Sequence, residues 1–292
     1  ELKDQATINS IDLNLDKAHA KLSLDKVART KRVLFMGNDT ATIEEKNAVI
    51  EQVNQALQSS YTTVDQSMTS NDVATNKDTG INEITMIDLT PTVKQAAIDE
   101  LTERANAKKV EFDNNPDATV EEKEAAIAKI DQEVTKAKEQ IHQALKNENV
   151  DTAKINGTNF INAIQPEITK KIKAREAIDE VARAKKEAID RIQDATTEEK
   201  EAAKAKVDQA VTEAKGHINE AINNSGVDEA KTNGTTTINA IQPEVIKKSE
   251  ARQAIDDVAK AKKEVIDQTP DATTEEKEAA KAKVDQAVTE AK

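Results

Sequence analysis

The stretch DATTEEKEAAKAKVDQAVTEAK occupies residues 194–215 and recurs letter for letter at residues 271–292. It decides the fold because it holds both a helix start and a helix face. Thr196 is followed three residues later by Glu199, the pattern of a capping box: the hydroxyl accepts from the third helical amide while the carboxylate reaches back to the cap amide. Loss of such a threonine cap costs about 1 kcal/mol. From there Ala203, Val207, Ala210, Ala214, Ile218 and Ile222 fall three or four apart. That spacing predicts one buried face of a helix about seven turns long, and the Asn-Asn-Ser-Gly run at 223–226 is expected to stop it.

Shorter copies of the stretch start at Asp117 (DATVEEKEAA) and Asp39 (DTATIEEKNAV), so its alanine stands at 41, 118, 195 and 272, a spacing of 77 each time. The capping pair is present in every copy, as Thr42/Glu45, Thr119/Glu122, Thr196/Glu199 and Thr273/Glu276. Gly80, Gly157 and Gly234 keep the same period, as do Leu24, Leu101, Ile178 and Ile255. A fixed period of this size marks a repeat architecture. The landmarks divide the chain into the end of a preceding repeat (1–13), repeats at 14–89, 90–165 and 166–242, and an incomplete fourth at 243–292 that lacks its third helix.

Two more helices are expected in each repeat. One precedes the capping box, at 166–193 and 243–268, and opens on Pro166 or Pro243, since proline is tolerated at the first helical position. The other, at 227–241, carries Val227, Ala230, Gly234, Ile238 and Ile241 on one stripe. Glycine on a buried stripe gives up about 1 kcal/mol against alanine, so its recurrence points to a close approach of two helix backbones. The competing reading is a helix break at Asn-Gly. Short connections make the three segments an up-down-up bundle, which the chain leaves at the end opposite its entry. One or two residues at the proline then separate successive repeats. The expected fold is all-α: tandem 77-residue three-helix bundles stacked end to end into an elongated rod of about 150 Å.

Composition agrees with slim bundles rather than one large core. Aromatic residues are 1% of the chain, charged residues 33%, and the net charge is −13. No basic stripe or stacking platform is available for nucleic acid, and no apolar run reaches the length needed to insert in a membrane. The chain contains no cysteine, so neither disulfides nor thiol chemistry are open to it.

No catalytic, cofactor-binding or metal-binding residues emerge. His19, His142 and His217 lie at unrelated repeat positions without partners at metal-ligand spacing. The run NDVATNKDTGINE at 71–83 lacks the alternating oxygen ligands of a calcium loop, and its Asp78 becomes Ile155 and Thr232 in later copies. Phe35 and Phe112 share a repeat position with Ile189 and Ile266 and read as core. The residues singled out are structural: the four Thr/Glu pairs, the three glycines, and Pro166 and Pro243.

The segments INAIQPE (161–167 and 238–244) and KAREAIDEVARAKKEAID (173–190), together with the quoted stretch, resemble the tandem three-helix repeats of giant cell-wall-anchored staphylococcal surface proteins of the Ebh, SasC and Mrp type. The resemblance covers essentially the whole chain and is strongest from about Ala97 onward. It implies an extracellular, cell-wall-attached stalk in proteins of adhesion and biofilm, with host extracellular matrix proteins or neighbouring bacterial cells as partners. The chain shows neither the signal peptide nor the LPxTG motif expected of that group, so the resemblance implies an internal fragment of a larger surface protein. Two functions follow as expectations, neither of them enzymatic. The first is a structural spacer lengthened by copying a module. The alternative is a repeated low-affinity binding module acting through avidity.

Overall fold

A computed structural model describes residues 1–292, with every side chain except that of Leu2. Among the described residues the secondary structure is α-helical throughout, in the order α1 (Leu2–Met36), α2 (Ile43–Gln66), α3 (Ser70–Met86), α4 (Val93–Asp113), α5 (Val120–Gln143), α6 (Asn147–Ala163), α7 (Lys170–Asp190), α8 (Thr197–Glu220), α9 (Asn224–Ala240), α10 (Lys247–Asp267) and α11 (Thr274–Ala291). The lengths repeat with the sequence: α4 and α7 have 21 residues, α2, α5 and α8 have 24, and α3, α6 and α9 have 17. Glutamate and lysine on the exposed faces and alanine in the core of the first and second helices are strong helix formers.

Each consecutive trio closes on its own core. In α7–α9 the core runs through Ile178, Val207, Ala214, Val227 and Ile238. Its counterparts centre on Leu101, Ile130 and Ile161 in α4–α6, and on Leu24, Val53 and Ile84 in α1–α3. Phe35, Phe112 and Ile189 close the C-terminal end of each first helix and are buried. Helices α10 and α11 pack against each other and bury no residue.

The chain forms two compact units. The first comprises Glu1–Asn114 and Ala125–Gln165 and holds the cores of α1–α3 and α4–α6. The second comprises Asn115–Glu124 and Pro166–Lys292 and holds the core of α7–α9 together with the pair α10 and α11. The loop and helix start at Asn115–Glu124 thus join the unit of the repeat that follows them.

Three expectations about helix ends are corrected. Pro166 and Pro243 do not open helices: α7 starts at Lys170 and α10 at Lys247. Residues 164–169 and 241–246 form a non-helical passage of six residues where one or two were expected. Proline keeps the residue before it out of helical geometry, and the helix begins only where a carboxylate meets its first free amides. The run at 223–226 does not merely stop a helix. Helix α8 has already ended at Glu220, and the Asn223 side chain caps α9 by accepting from the Gly226 amide at 2.8 Å.

The recurrent glycine lies within unbroken helices, α3, α6 and α9, on their buried faces. A methyl group added at Gly234 would stand 2.5 Å from the Ala214 Cβ and 3.1 Å from the Ile178 Cδ1. At Gly157 it would meet Ala137 at 2.6 Å and Leu101 at 3.1 Å, and at Gly80 it would meet Ser60 and Leu24. The third helix therefore packs on the second at a distance only glycine permits. Gly234→Ala should lower stability to urea by about 1–3 kcal/mol through overpacking. Gly216→Ala, where an added methyl meets nothing within 4 Å, should raise it by about 1 kcal/mol through helix propensity. Stabilisation by both substitutions would remove the close-approach account.

Candidate functional site at the repeat junction

The first amides of every helix lack intrahelical partners and give that end a partial positive charge. At α8 the box supplies partners: the Thr196 amide donates to Glu199 Oε2 at 2.8 Å, and the Glu199 amide donates to Thr196 Oγ1 at 3.2 Å. The second carboxylate oxygen does something the local motif does not announce. Glu199 Oε1 accepts from the amides of Ile246 and Lys247, at 2.8 and 3.0 Å, where α10 begins. One carboxylate therefore caps the second helix of its own repeat and the first helix of the next.

The arrangement recurs at each junction. Glu45 Oε2 accepts from the Thr42 amide at 2.9 Å, while its Oε1 takes the amides of Thr92 and Val93 at 2.7 and 3.0 Å. Glu122 Oε2 takes the Thr119 amide at 3.0 Å, and its Oε1 those of Thr169 and Lys170 at 2.8 and 2.9 Å. Glu276 forms the box with Thr273.

The preceding glutamate caps a third helix. Glu44 Oε2 accepts from the Asn147 amide at the start of α6, and Glu121 Oε2 from the Asn224 amide at the start of α9. The Ile43 and Val120 amides donate onward to the carbonyls of Leu145 and Ile222, at 2.8 and 2.9 Å. Three helix N-termini, each carrying about half a positive charge, thus converge on two adjacent carboxylates. Without those carboxylates the three ends would repel one another.

A buried cation closes the other side. Lys171, 2% exposed, sends its ammonium to the carbonyls of Pro116 at 2.8 Å and Asn219 at 2.7 Å. Lys94, 5% exposed, donates in the same way to Asp39 at 3.2 Å and His142 at 2.7 Å. His142 and Asn219 lie in the last turns of α5 and α8, where carbonyls want a donor and a positive charge is favoured. Each lysine so ties the turn of one repeat to a helix end of the next. Sequence reading passed over these lysines, although Lys17, Lys94, Lys171 and Lys248 keep the 77-residue period.

Of the residues singled out from sequence, the pairs Thr42/Glu45, Thr119/Glu122 and Thr196/Glu199 sit at the junctions, Thr273/Glu276 forms only the local box, and Pro166 and Pro243 are buried in the passages between repeats. The three glycines lie in the bundles instead. The electrostatics follow from the bonding. The Glu199 carboxyl is held down to about 2 by the amides of Lys247, Thr196 and Ile246. At Glu45 and Glu122 burial works upward, but the amides around each carboxylate outweigh it and the net direction is down. Burial lowers the Lys171 ammonium. These groups are engaged by backbone amides and carbonyls, so the site joins helices. Among the described residues no group of three His, Asp or Glu side chains is placed to hold a metal ion.

A depressed carboxyl pKa stabilises the fold fully above the ordinary value of 4.5 and loses that contribution as pH falls through the folded value. NMR amide shifts of Ile246 and Lys247 should therefore titrate with a midpoint near 2 and stop doing so in Glu199→Gln. A midpoint near 4.5 would show that the carboxylate is free. Lys171→Met keeps the apolar stem and removes the donors, and it should lower stability to urea by about 1–3 kcal/mol through the orphaned carbonyls. An unchanged unfolding midpoint would mean that water replaces the ammonium.

Residues 16–92, 93–169, 170–246 and 247–292 each match the family described as Domain of Unknown Function (DUF1542). The last three matches start at Val93, Lys170 and Lys247, whose amides the glutamate of the repeat before accepts. Among curated proteins, the chain is 28% identical over 271 residues to the extracellular matrix-binding protein ebh of Staphylococcus aureus strain MRSA252, covering 93% of this chain and 2% of that protein. It is 26% identical to the extracellular matrix-binding protein EbhA of strain Mu3, covering 93% and 4%, and 27% identical to EbhA of strain Newman, covering 93% and 8%. The chain thus spans only a small fraction of the relatives it matches. No solved structure matches it. The chain belongs to the DUF1542 family, and it carries that family's repeat four times in tandem, the last copy over residues 247–292.

Proposed function

We propose that this chain is a non-catalytic spacer segment of a bacterial surface adhesin, extracellular and attached to the cell wall through the larger protein, which holds an adhesive region away from the wall. The observation that carries the reading is the junction. Each repeat ends on groups supplied by its neighbour, through Glu45, Glu122 and Glu199 and the lysines opposite. Such a joint suits a module copied for length, because every copy brings both halves of it. The names of the relatives support an extracellular setting.

A second reading, a repeated weak binding module for host extracellular matrix or for cell-cell aggregation, is favoured by one feature. Met68, Leu145 and Ile222 occupy the same repeat position and are 84%, 66% and 73% exposed. One such side chain per repeat is a small contact, and it would act only through avidity.

The two readings separate in the whole surface protein. If the repeats are a spacer, deleting them should abolish adhesion, and an unrelated helical array of equal length should restore it. Failure of the substitute to restore adhesion, with saturable matrix binding by the 292-residue chain that scales with repeat number, would establish the second reading in its place.

A further inference from the structure

Along α1 one outward stripe differs in chemistry from its counterpart in the next repeat. Leu22, Lys26, Arg29, Val33 and Met36 follow one another at steps of three and four on the side away from the core. All five are exposed, Leu22 at 68%, Val33 at 69% and Met36 at 56%. The residues 77 positions on, Asp99, Glu103, Asn106, Val110 and Asp113, are exposed as well, so this face points outward in both repeats. Three acids of α4 stand where α1 has leucine, lysine and methionine.

The charges on both stripes lack local compensation. Among the described residues neither Lys26 nor Arg29 forms an ion pair. They lie three apart on one helix face, where like charges repel. Asp99 and Glu103, four apart on α4, repeat this with the opposite sign. Asp99 accepts from the Gln95 side-chain amide at 2.7 Å, and Glu103 forms no ion pair among the described residues. Each stripe therefore carries the charge that would relieve the other.

We propose that the α1 stripe of one copy of this chain docks against the α4 stripe of a second copy, the two helices running parallel, with Lys26 on Asp99 and Arg29 on Glu103. In that register Leu22 meets Ala96 and Met36 meets Val110, so the contact is ionic in the middle and apolar at both ends. Val33 falls on Asn106 and Ala107. The antiparallel arrangement centred on Arg29 and Glu103 sets Val33 against Asp99 and leaves Lys26 opposite Asn106. Helix α7 fits less well than α4, because Arg183 and Glu187 stand at the positions of Asn106 and Val110, in the way of Val33 and Met36. Different faces meet in this pairing, so each copy can engage two others. The contact spans about four helical turns and its ion pairs are exposed, which makes it weak singly.

A covalent trap suits a weak contact, and the chain has no cysteine to confuse it. Chains carrying Met36→Cys are mixed at low salt with chains carrying Val110→Cys or, separately, Ala96→Cys, and the mixed disulfide is measured after mild oxidation. The Val110→Cys partner should give at least about threefold more mixed disulfide than the Ala96→Cys partner. Adding Arg29→Glu to the Met36→Cys chain should remove that excess. Adding Glu103→Arg to the Val110→Cys chain should then restore it, which a folding defect cannot imitate. Equal yields from the two partners overturn the proposal, as does a yield indifferent to Arg29→Glu or a charge exchange that fails to restore it. An excess with Ala96→Cys would overturn it in favour of antiparallel copies. Mixed disulfide no more frequent than random collision would overturn it too, and leave the α1 stripe to an acidic partner other than a second copy.

Discussion

A single carboxylate shared by two helix starts is the constraint on which the rest of this structure depends. Helix N-termini carry unsatisfied amides and positive partial charge, and at each complete junction three of them are brought together. Glu45 with Glu44, and Glu122 with Glu121, supply the acceptors and the compensating charge. Charge-assisted bonds of this kind are stronger than neutral ones. The geometry also fixes where the next helix begins, since Val93, Lys170 and Lys247 start helices at the point where their amides meet that carboxylate.

The same interaction explains why the Thr/Glu pair and the junction lysine keep the 77-residue period. A residue with one local and one distant task cannot drift without disturbing two repeats, and the buried lysines Lys94 and Lys171 are bound by the same logic. Within the bundles the constraint is steric. Alanine and glycine bring the second and third helices close, and the small core is offset by the length over which it repeats.

The division into helices was legible because its signals are local: the Thr/Glu pair marks a start and the three-and-four spacing marks a face. What was not legible depends on contacts between distant residues. Glu199 shows its bond to Thr196 in a four-residue window, but nothing near it announces Ile246, 47 positions ahead. For that reason Pro166 and Pro243 read as first helical residues when they lie in a non-helical passage. Lys171 was hidden by its neighbours, since in the run KKIK a buried lysine looks like any solvated one, and only its 77-residue recurrence set it apart. Asn223 read as a stop because asparagine serves both roles, and the acceptor geometry at Gly226 decides between them.

A spacer is useful only if its joints hold a direction, and the account assigns that property at the first junction to Glu45. Spin labels at the exposed Gln55 on α2 and Gln132 on α5, read by pulsed electron-electron resonance at neutral pH, measure it directly. The account predicts one narrow distance distribution that broadens markedly in Glu45→Ala, with both bundles still folded. A distribution in the unsubstituted chain already wider than about 20 Å, two helix diameters, or one of the same width in both proteins, would contradict it.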